Sequence, residues 1–455
     1  MKQSLGAYIS VPFCKAKCSY CNFASGVLAA GTAGAERIDQ YVERVCAEIR
    51  STRARAAEWM AELPEQVDTV YLGGGTPSLL SANQTRQVFA PLRGEFELAA
   101  DAEITLECAP GQLGEETLEE LLRLGMNRVS FGVQSFVDAE ARAVGRLHTR
   151  AMCLAEIARM RAAGLQEINV DLIVGLPRQT AESWRTSVDV ALECGVPHVS
   201  VYMLEVDEDS RLGREMLLGG IKYGAGDVPG DDAIAEWYAA ACEWLASGGV
   251  MQYEISNFAR TGEQGRSGWR GKDSDGDSDS SSQNEAAVTG MDHRSRHNVK
   301  YWRREPYVGF GLDAHSMLRA CSHGLKTADD AVRWANSCQL EEYLENRGQG
   351  TGNREQRPAS ELRVVQMRPE VDRVGREKAF EEAMFLGLRM NEGVDLVKLR
   401  AEFGEALVQG AMSAMDEVEQ AGLVIVEGES VRLTAQGRMV SNEVFSRLLL
   451  ETPVG

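Results

Sequence analysis

An α/β fold in the form of an open, partial (βα)6 barrel is the architecture that the first 258 residues of this 455-residue chain predict. Two observations lead to it: short apolar runs alternate with longer amphipathic segments, and the apolar runs end in glycines or polar side chains. Alternating strands and helices form parallel sheets with right-handed crossovers. Six units are fewer than the eight of a closed barrel, so we expect the sheet to remain open.

The individual elements follow from the length and spacing of the apolar runs. Short, continuously apolar runs suit strands that are buried on both faces, and apolar residues spaced three or four apart suit helices. The predicted strands are Tyr8–Val11, Asp68–Leu72, Glu103–Glu107, Arg128–Gly132, Ile168–Val174, His198–Leu204 and Gln252–Ser256. The predicted helices are Glu36–Trp59, Ala82–Leu92, Glu115–Leu124, Ala151–Ala163, Ala181–Cys194 and Asp232–Leu245.

Glycines or polar side chains stand where six successive strands end. Functional sites of barrel folds gather at the carboxyl ends of the strands, so these residues mark a candidate site. They are a cysteine triplet, the glycine run 73–75, Glu107, Gln134, Asp171 and Tyr202.

The rest of the chain divides by composition. Residues 261–292 are rich in Gly, Ser and Asp, which predicts a disordered acidic insertion, because such a segment buries little apolar surface. Residues 293–346 are expected to complete the core, and 347–374 to form a flexible linker. Residues 375–455 predict a small helical, winged-helix-like domain, for which Asp416, Glu417 and Glu419 favour packing over DNA binding.

Charge and hydropathy exclude several classes of protein. The formal net charge of −20 argues against affinity for nucleic acid or for anionic membranes. No apolar stretch approaches the roughly 20 residues that cross a bilayer, and the first residues lack the hydrophobic core of a secretion signal. Outside the triplet the cysteines are scattered singly, as in a reducing compartment. We therefore expect a cytoplasmic protein.

The triplet Cys14, Cys18 and Cys21 has the spacing Cys-x3-Cys-x2-Cys. Cysteine thiolates hold iron–sulfur clusters, usually four to a cluster, so three would leave one iron open to a ligand. A structural zinc site is the alternative, but zinc prefers a closed tetrahedron and no fourth ligand follows at a characteristic spacing. Cys108, at a strand end, is the candidate to consider for that role.

Several motifs together resemble one known family. They are Tyr8-Ile-Ser-Val-Pro-Phe-Cys, Tyr71-Leu-Gly-Gly-Gly-Thr-Pro-Ser, Arg128-Val-Ser-Phe-Gly-Val-Gln-Ser-Phe, Asn169-Val-Asp-Leu-Ile-Val-Gly-Leu-Pro, Tyr253-Glu-Ile-Ser-Asn-Phe-Ala and His297-Asn-Val-Lys-Tyr-Trp. In this order they resemble the oxygen-independent coproporphyrinogen III oxidase-like family of radical S-adenosylmethionine (SAM) proteins, and within it the branch of heme chaperones. The resemblance implies a radical SAM barrel whose three cysteines bind a [4Fe-4S] cluster and whose open iron binds SAM.

The resemblance also implies which residues hold SAM. A cofactor with an ammonium, a carboxylate and ribose hydroxyls needs carboxylates, an amide and a guanidinium. The implied contacts are Tyr8, Phe23, Gly74, Gly75, Thr76, Glu107, Gln134, Arg146 and Asp171. The alternatives are a tight strand-to-helix turn for the glycines and internal salt bridges for the charged residues.

The run from His297 to Trp302 bears on the choice between family members. The resemblance implies that His297 binds heme iron and that Tyr301 and Trp302 pack on the porphyrin. The alternative is a structural histidine capped by Asn298, and His315 is a second candidate ligand. Phe23 stands where the oxidases of this type carry a further cysteine, which argues against the decarboxylation.

Three functions stay open at this point. The first is a heme chaperone that passes heme to respiratory proteins, with a reductant such as flavodoxin or ferredoxin. The second is an oxygen-independent coproporphyrinogen III oxidase, and the third is a related radical SAM methyltransferase that would need a second SAM. The chain departs from the family pattern at two positions: Ser10 replaces a histidine and Ala109 replaces a polar residue. Neither position is one of the three cysteines that are expected to hold the cluster.

Overall fold

The computed structural model of the chain describes residues 3–260, 292–321, 329–345 and 371–448. Nearly all of the predicted insertion at 261–292 and most of the predicted linker at 347–374 therefore lie outside the described residues.

The described residues form one large sheet, a three-stranded sheet and a two-stranded pair. The strands are β1 Leu5–Val11, β2 Phe13–Cys14, β3 Gly26–Val27, β4 Ala61–Glu62, β5 Gln66–Gly74, β6 Glu97–Cys108, β7 Arg128–Gln134, β8 Glu167–Val174, β9 His198–Met203, β10 Met251–Gln252, β11 Asn257–Ala259, β12 Tyr307–Phe310, β13 His315–Ala320, β14 Asp329–Ala335, β15 Val371–Gly375, β16 Val394–Asp395, β17 Val424–Glu427 and β18 Ser430–Leu433.

Helices follow most of the barrel strands. They are α1 Thr32–Glu58, α2 Ala82–Glu95, α3 Glu115–Arg123, α4 Asp138–Ala143, α5 Arg150–Ala162, α6 Ala181–Glu193, α7 Arg211–Leu217, α8 Asp231–Ser247, α9 Arg296–Trp302, α10 Leu340–Glu345, α11 Arg376–Leu388, α12 Leu396–Phe403, α13 Glu405–Gln420, α14 Ala435–Met439 and α15 Ser441–Ser446, with 3-10 turns at Pro77–Leu79 and Lys222–Asp227.

Six parallel strands form the centre of the large sheet, in the spatial order β1, β5, β6, β7, β8 and β9. The predicted α/β class and its six-stranded partial barrel are confirmed. Because the strands are parallel, their carboxyl ends open at one edge, where the predicted site residues stand. The interiors of these strands are buried as expected, since helices cover the outer face of the sheet.

Further strands extend both edges of the parallel sheet. β12 pairs parallel with β1, and β13, β14 and β15 follow in antiparallel order. Residues 371–374, assigned from the sequence to the linker, thus belong to β15, because they pair in antiparallel register with β14. The predicted strand Gln252–Ser256 is also corrected: β10 and β11 are two short antiparallel strands joined by a turn at 253–256.

The carboxyl-terminal unit has its own apolar core. Helices α11, α12 and α13 pack around Phe380 and Phe403, whose rings lie 5.7 Å apart. The predicted hairpin is present as β17 and β18, with β16 as a third strand on β18. The unit is joined to the barrel by buried charges, since Arg304 after α9 donates to Glu382 on α11 at 3.2 Å.

Candidate functional site

The three cysteines lie in the loop that leaves β1 at the open edge of the barrel. The Thr76 hydroxyl donates to Cys14 Sγ at 3.6 Å, and Arg146 Nη1 donates to Cys18 Sγ at 3.4 Å. The Cys21 amide closes a turn onto the Cys18 carbonyl at 3.3 Å. Donors that face sulfur favour the thiolate, which is the form that binds metal. Two of the three sulfurs thus have a donor facing them, and the binding of a cluster by the three cysteines stays a prediction.

Burial raises the pKa of the Cys21 thiol, and a backbone hydrogen bond from Phe23 and the charge of nearby Lys17 oppose that rise. Cys108, considered from the sequence as a further ligand, is buried at the end of β6. Its thiol donates to the Ala109 carbonyl at 3.4 Å, and desolvation raises its pKa to about 12. A neutral thiol engaged with the backbone is a core residue, so the structure assigns Cys108 to packing.

The glycine run follows β5 and approaches its neighbours too closely for any side chain. A Cβ on Gly74 would lie 2.8 Å from Ser10 Oγ, and one on Gly75 would lie 2.7 Å from the Val11 carbonyl oxygen. Gly74 also has φ +96°, which L-residues rarely adopt. Its amide donates to Glu107 Oε2 at 3.1 Å. The turn therefore aims a carboxylate into the mouth of the barrel.

Glu107 is the most perturbed acid at this edge. The Tyr71 hydroxyl donates to its Oε1 at 2.9 Å. Desolvation and then the charge of Asp171 raise its pKa to about 7, although the donors Tyr71 and Gly74 oppose the rise. Asp171 has a raised pKa through its own burial and accepts from Ser130 Oγ at 3.1 Å. Two desolvated carboxyls at one mouth are suited to receive a cation, which would favour their charged forms.

Two polar atoms at the same edge are buried without a partner among the described residues: Gln134 Oε1 and Arg146 Nε. Gln134 lies at a left-handed position, φ +67°, at the end of β7. The Arg146 guanidinium reaches the Gly132 carbonyl and Cys18. An unpaired buried acceptor and donor cost free energy, so both fit a polar ligand that would pair with them. Such a ligand would carry both a donor group for Gln134 Oε1 and an acceptor group for Arg146 Nε.

Two cavities adjoin this edge. The smaller, about 290 Å³, lies between Tyr8, Phe23 and Gly74 on the barrel side and β12–β13 on the other. The larger, about 610 Å³, lies between α9, β13, β14 and α11. Its lining comprises Tyr301, Trp302, Arg304, Tyr307, His315, Ser316, Met317, Arg333, Trp334, Ala335, Asp372, Phe385 and Leu386. Tyr301, Tyr307 and His315 line both cavities, so the two are neighbours across a shared wall.

His297 lies in the wall of the barrel rather than in either cavity. Its side chain is on α9 and the residue is only 2% exposed. Nδ1 is hydrogen bonded to Thr69 Oγ1 at 2.8 Å and Nε2 to the Tyr301 hydroxyl at 2.9 Å. Burial, with Lys300 nearby, lowers its pKa to about 3. Both ring nitrogens are engaged inside the protein in this structure, and the binding of heme iron by His297 stays a prediction.

The structure therefore brings together most of the predicted SAM contacts, and it places Tyr301 and Trp302 in the larger cavity. Sequence reasoning missed Tyr307, Arg333 and Trp334, which also line it. The alternation of inward and outward residues on β14 was the available signal, but residues 329–335 form no motif that would have singled it out.

The comparisons with known proteins agree with this geometry. Residues 8–191 match the Radical SAM superfamily and residues 375–440 match the HemN C-terminal domain. Coproporphyrinogen III oxidase (HemN) from Escherichia coli has the same fold, with a TM-score of 0.72 at 20% identity over 98% of this chain and 90% of that one. The shared fold and the match over residues 8–191 together identify the chain as a radical SAM protein.

Curated relatives narrow the class. The heme chaperone HemW of Lactococcus lactis subsp. lactis is 28% identical over 98% of this chain and 97% of its own length. The heme chaperone HemW of a Synechocystis species is 30% identical over 73% of this chain and 70% of its own length. The chain belongs to the HemW family, which confirms the resemblance seen in the sequence. Among the described residues, no helix is long and apolar enough to cross a membrane.

Proposed function

We propose that this protein is a cytoplasmic heme chaperone that binds a [4Fe-4S] cluster, SAM and heme, and that passes heme to acceptor proteins. The observation that carries the proposal is the pair of adjoining cavities, one bounded by the SAM-type edge of the barrel and one lined by aromatic side chains. Relatives across nearly the full chain carry the name heme chaperone. Respiratory heme proteins are the proposed acceptors, and flavodoxin or ferredoxin the proposed reductant.

The cluster and SAM sites rest on the residues at the open edge. Cys14, Cys18 and Cys21 would hold a [4Fe-4S] cluster, which supplies an electron and an open iron when it is bound. Arg146 donates a hydrogen bond to Cys18 Sγ and Thr76 donates one to Cys14 Sγ, and both would stabilise a bound thiolate.

The carboxyls and the glycine turn would receive SAM. Glu107 is held by Tyr71 and by the Gly74 amide, so its oxygens are already aimed before a ligand arrives. Asp171, Gln134 and Arg146 add acceptors and a donor at the same edge. Tyr8 and Phe23, with Gly75 beside them, would cover the ligand, and the exposed ring of Phe23 leaves apolar surface for it.

The experiment that tests this function uses anaerobically reconstituted full-length protein. We expect stoichiometric binding of hemin, seen by absorbance, and no product when coproporphyrinogen III is supplied with SAM and a reductant. Decarboxylated porphyrinogen would instead identify an oxidase, and methylated product a methyltransferase. Failure to bind hemin or failure to retain iron would overturn the proposal.

A further inference from the structure

The barrel interior contains a buried histidine that none of the predicted sites uses. His198 begins β9 and is 2% exposed. Its Nδ1 is hydrogen bonded to Asn169 Oδ1 at 2.6 Å, and its Nε2 to the Tyr253 hydroxyl at 2.9 Å. Desolvation, with Arg128 and His293 nearby, lowers its pKa well below the usual range. The imidazole is therefore neutral, and a neutral ring offers one donor and one acceptor.

The Asn169 amide connects this histidine to an acid at the mouth of the barrel. Its Nδ2 donates to Asp171 Oδ1 and to Ser130 Oγ, each at 2.7 Å. Ser130 in turn donates to Asp171 Oδ2 at 3.1 Å, so both oxygens of the carboxylate accept from this group. Ser200 Oγ lies 3.0 Å from Nδ2 and 3.3 Å from Oδ1 and so fits either orientation of the amide. An amide turned the other way would direct its oxygen at the carboxylate, so the orientation that donates to Asp171 is the favourable one.

These contacts fix the direction of the hydrogen bonds in the series that runs from Ser295 through Tyr253, His198 and Asn169 to Asp171. Asn169 Oδ1 is an acceptor only, so His198 carries its proton on Nδ1 and accepts at Nε2. The Tyr253 hydroxyl, whose pKa burial raises above its usual range, donates to that Nε2. Its oxygen accepts from the Ser295 amide at 3.2 Å, at the N-cap of α9. All donors of the series point toward the carboxylate, and hydrogen bonds aligned in this way strengthen one another.

We propose that His198 is a positioning residue for SAM binding, which acts through Asn169 to hold the carboxylate of Asp171 in place for the cofactor. This inference rests on the proposed function, in which Asp171 is one of the SAM contacts. Burial raises the pKa of Asp171, and the donors Ser200, Ser130 and Asn169 oppose that rise. Loss of the Asn169 donor would therefore favour the neutral acid, which attracts a cation less than the carboxylate does.

Other charged and titratable groups also face Asp171 at the mouth of the barrel. Glu107 on β6 is an acid whose pKa burial and then the charge of Asp171 raise, and the Arg146 guanidinium favours the charged form of Asp171. Burial, followed by nearby charges that include Asp171, raises the pKa of Tyr71 on β5 and of Tyr202 on β9. These groups stay the same when His198 is replaced. A difference in the pH dependence of SAM binding between the wild type and a variant therefore reports the series.

The test measures SAM binding by calorimetry at a series of pH values, on anaerobically reconstituted full-length protein. His198→Leu is expected to weaken binding at neutral pH by about tenfold or more and to shift the loss of binding toward higher pH. His198→Gln is expected to bind like the wild type, because its amide donates to Asn169 and accepts from Tyr253. His293→Leu is the matched control: His293 is 3% exposed and pairs with Glu167, outside the series, so its pH profile should be that of the wild type.

The possible outcomes separate this inference from the function on which it rests. If the wild type binds no SAM, the proposed SAM site fails and the role of His198 fails with it. If the wild type binds SAM and His198→Leu has the same affinity and pH profile, only the role of His198 is overturned. Should His198→Leu not fold, Tyr253→Phe breaks the series more gently and is expected to weaken SAM binding with the same shift toward higher pH. An unchanged profile in that variant would overturn the inference.

The direction of the series has a readout that needs no SAM. The chain has six histidines, so labelling them with nitrogen-15 gives few ring signals in nuclear magnetic resonance spectra. The signal of His198 is the one that His198→Gln removes. We expect the wild-type ring to carry its proton on Nδ1, because Asn169 Oδ1 accepts there. A proton on Nε2 would reverse the hydrogen bonds and overturn the inference, even in a protein that binds SAM.

Discussion

Replacing Gly74 by alanine tests whether the glycine turn is fixed by geometry. Gly74 has φ +96°, and a methyl group there would lie 2.8 Å from Ser10 Oγ. An L-residue in a left-handed conformation costs about 1 to 2 kcal/mol. Relieving the contact by rotating Ser10 or shifting β1 costs about 1 to 3 kcal/mol more. We therefore expect Gly74→Ala to lower the free energy of unfolding by about 2 to 5 kcal/mol in total.

The assay is urea unfolding followed by circular dichroism, under anaerobic conditions, on the same preparation of each variant. Gly94→Ala is the matched control: Gly94 lies in α2, and a Cβ there meets no atom within 4 Å. Gly94→Ala should raise the free energy of unfolding by about 1 kcal/mol, because alanine has the higher helix propensity. In a Ser10→Ala background the steric part of the Gly74→Ala cost should disappear, leaving only about 1 to 2 kcal/mol.

Two results would refute this reasoning. The first is a Gly74→Ala variant as stable as the wild type, and the second is a cost that is unchanged when Ser10 lacks its hydroxyl. A Gly94→Ala variant destabilised as much as Gly74→Ala would show that the assay reports any glycine change. If calorimetry shows that Gly74→Ala no longer binds SAM, the hydrogen bond from the Gly74 amide to Glu107 also contributes to binding.

Three further perturbations follow from the same structure. Because the folded protein raises the pKa of Glu107 to about 7, it binds that proton more tightly than the unfolded chain does, so wild-type stability should fall between about pH 4.5 and 7. In urea titrations at both pH values, Glu107→Gln should reduce this loss of unfolding free energy by about 1 to 3 kcal/mol. A variant whose stability falls with pH as much as that of the wild type would contradict the prediction. Cys18→Ala should lose cluster iron in a colorimetric assay while Cys194→Ala keeps it, and equal iron in both would reject the ligand set. Tyr301→Phe should lower the free energy of unfolding by about 1 to 3 kcal/mol, because it leaves His297 Nε2 buried and without this hydrogen bond. The measurement is the shift of the urea midpoint, and an unchanged midpoint would show that the hydrogen bond does not stabilise the fold.

Much of the barrel edge could be predicted from short stretches of sequence. The cysteine spacing, the glycine run and the acids at strand ends are local features, because a strand that ends in a buried sheet must present its next residue to the mouth. The short edge strands were harder to predict: β11 depends on pairing with β9, β10 on pairing with β11, and β15 on pairing with β14. Pairing at an edge is a property of the neighbouring strand, which the local pattern does not contain.

The histidines near the larger cavity show the limit most clearly. His297 stands in the more conspicuous motif, yet its ring is paired with Thr69, 228 residues earlier in the chain. His315 carries little local signal, yet it is the exposed ring at the larger cavity. Whether a histidine is buried and hydrogen bonded depends on which distant groups surround it, so the spacing in the sequence alone does not show it.

By itself, the sequence determined the fold class, the cysteine triplet and the glycine turn, because strand period, thiolate chemistry and backbone freedom are set by neighbouring residues. Only the tertiary structure decided that Glu107 and Asp171 share one desolvated mouth, that Arg333 and Trp334 of β14 meet Tyr301 and Trp302 of α9 across one cavity, and that His297 faces inward. Desolvation, hydrogen-bond satisfaction and cavity shape all arise from contacts between segments far apart in the chain, and these exist only once the chain has folded.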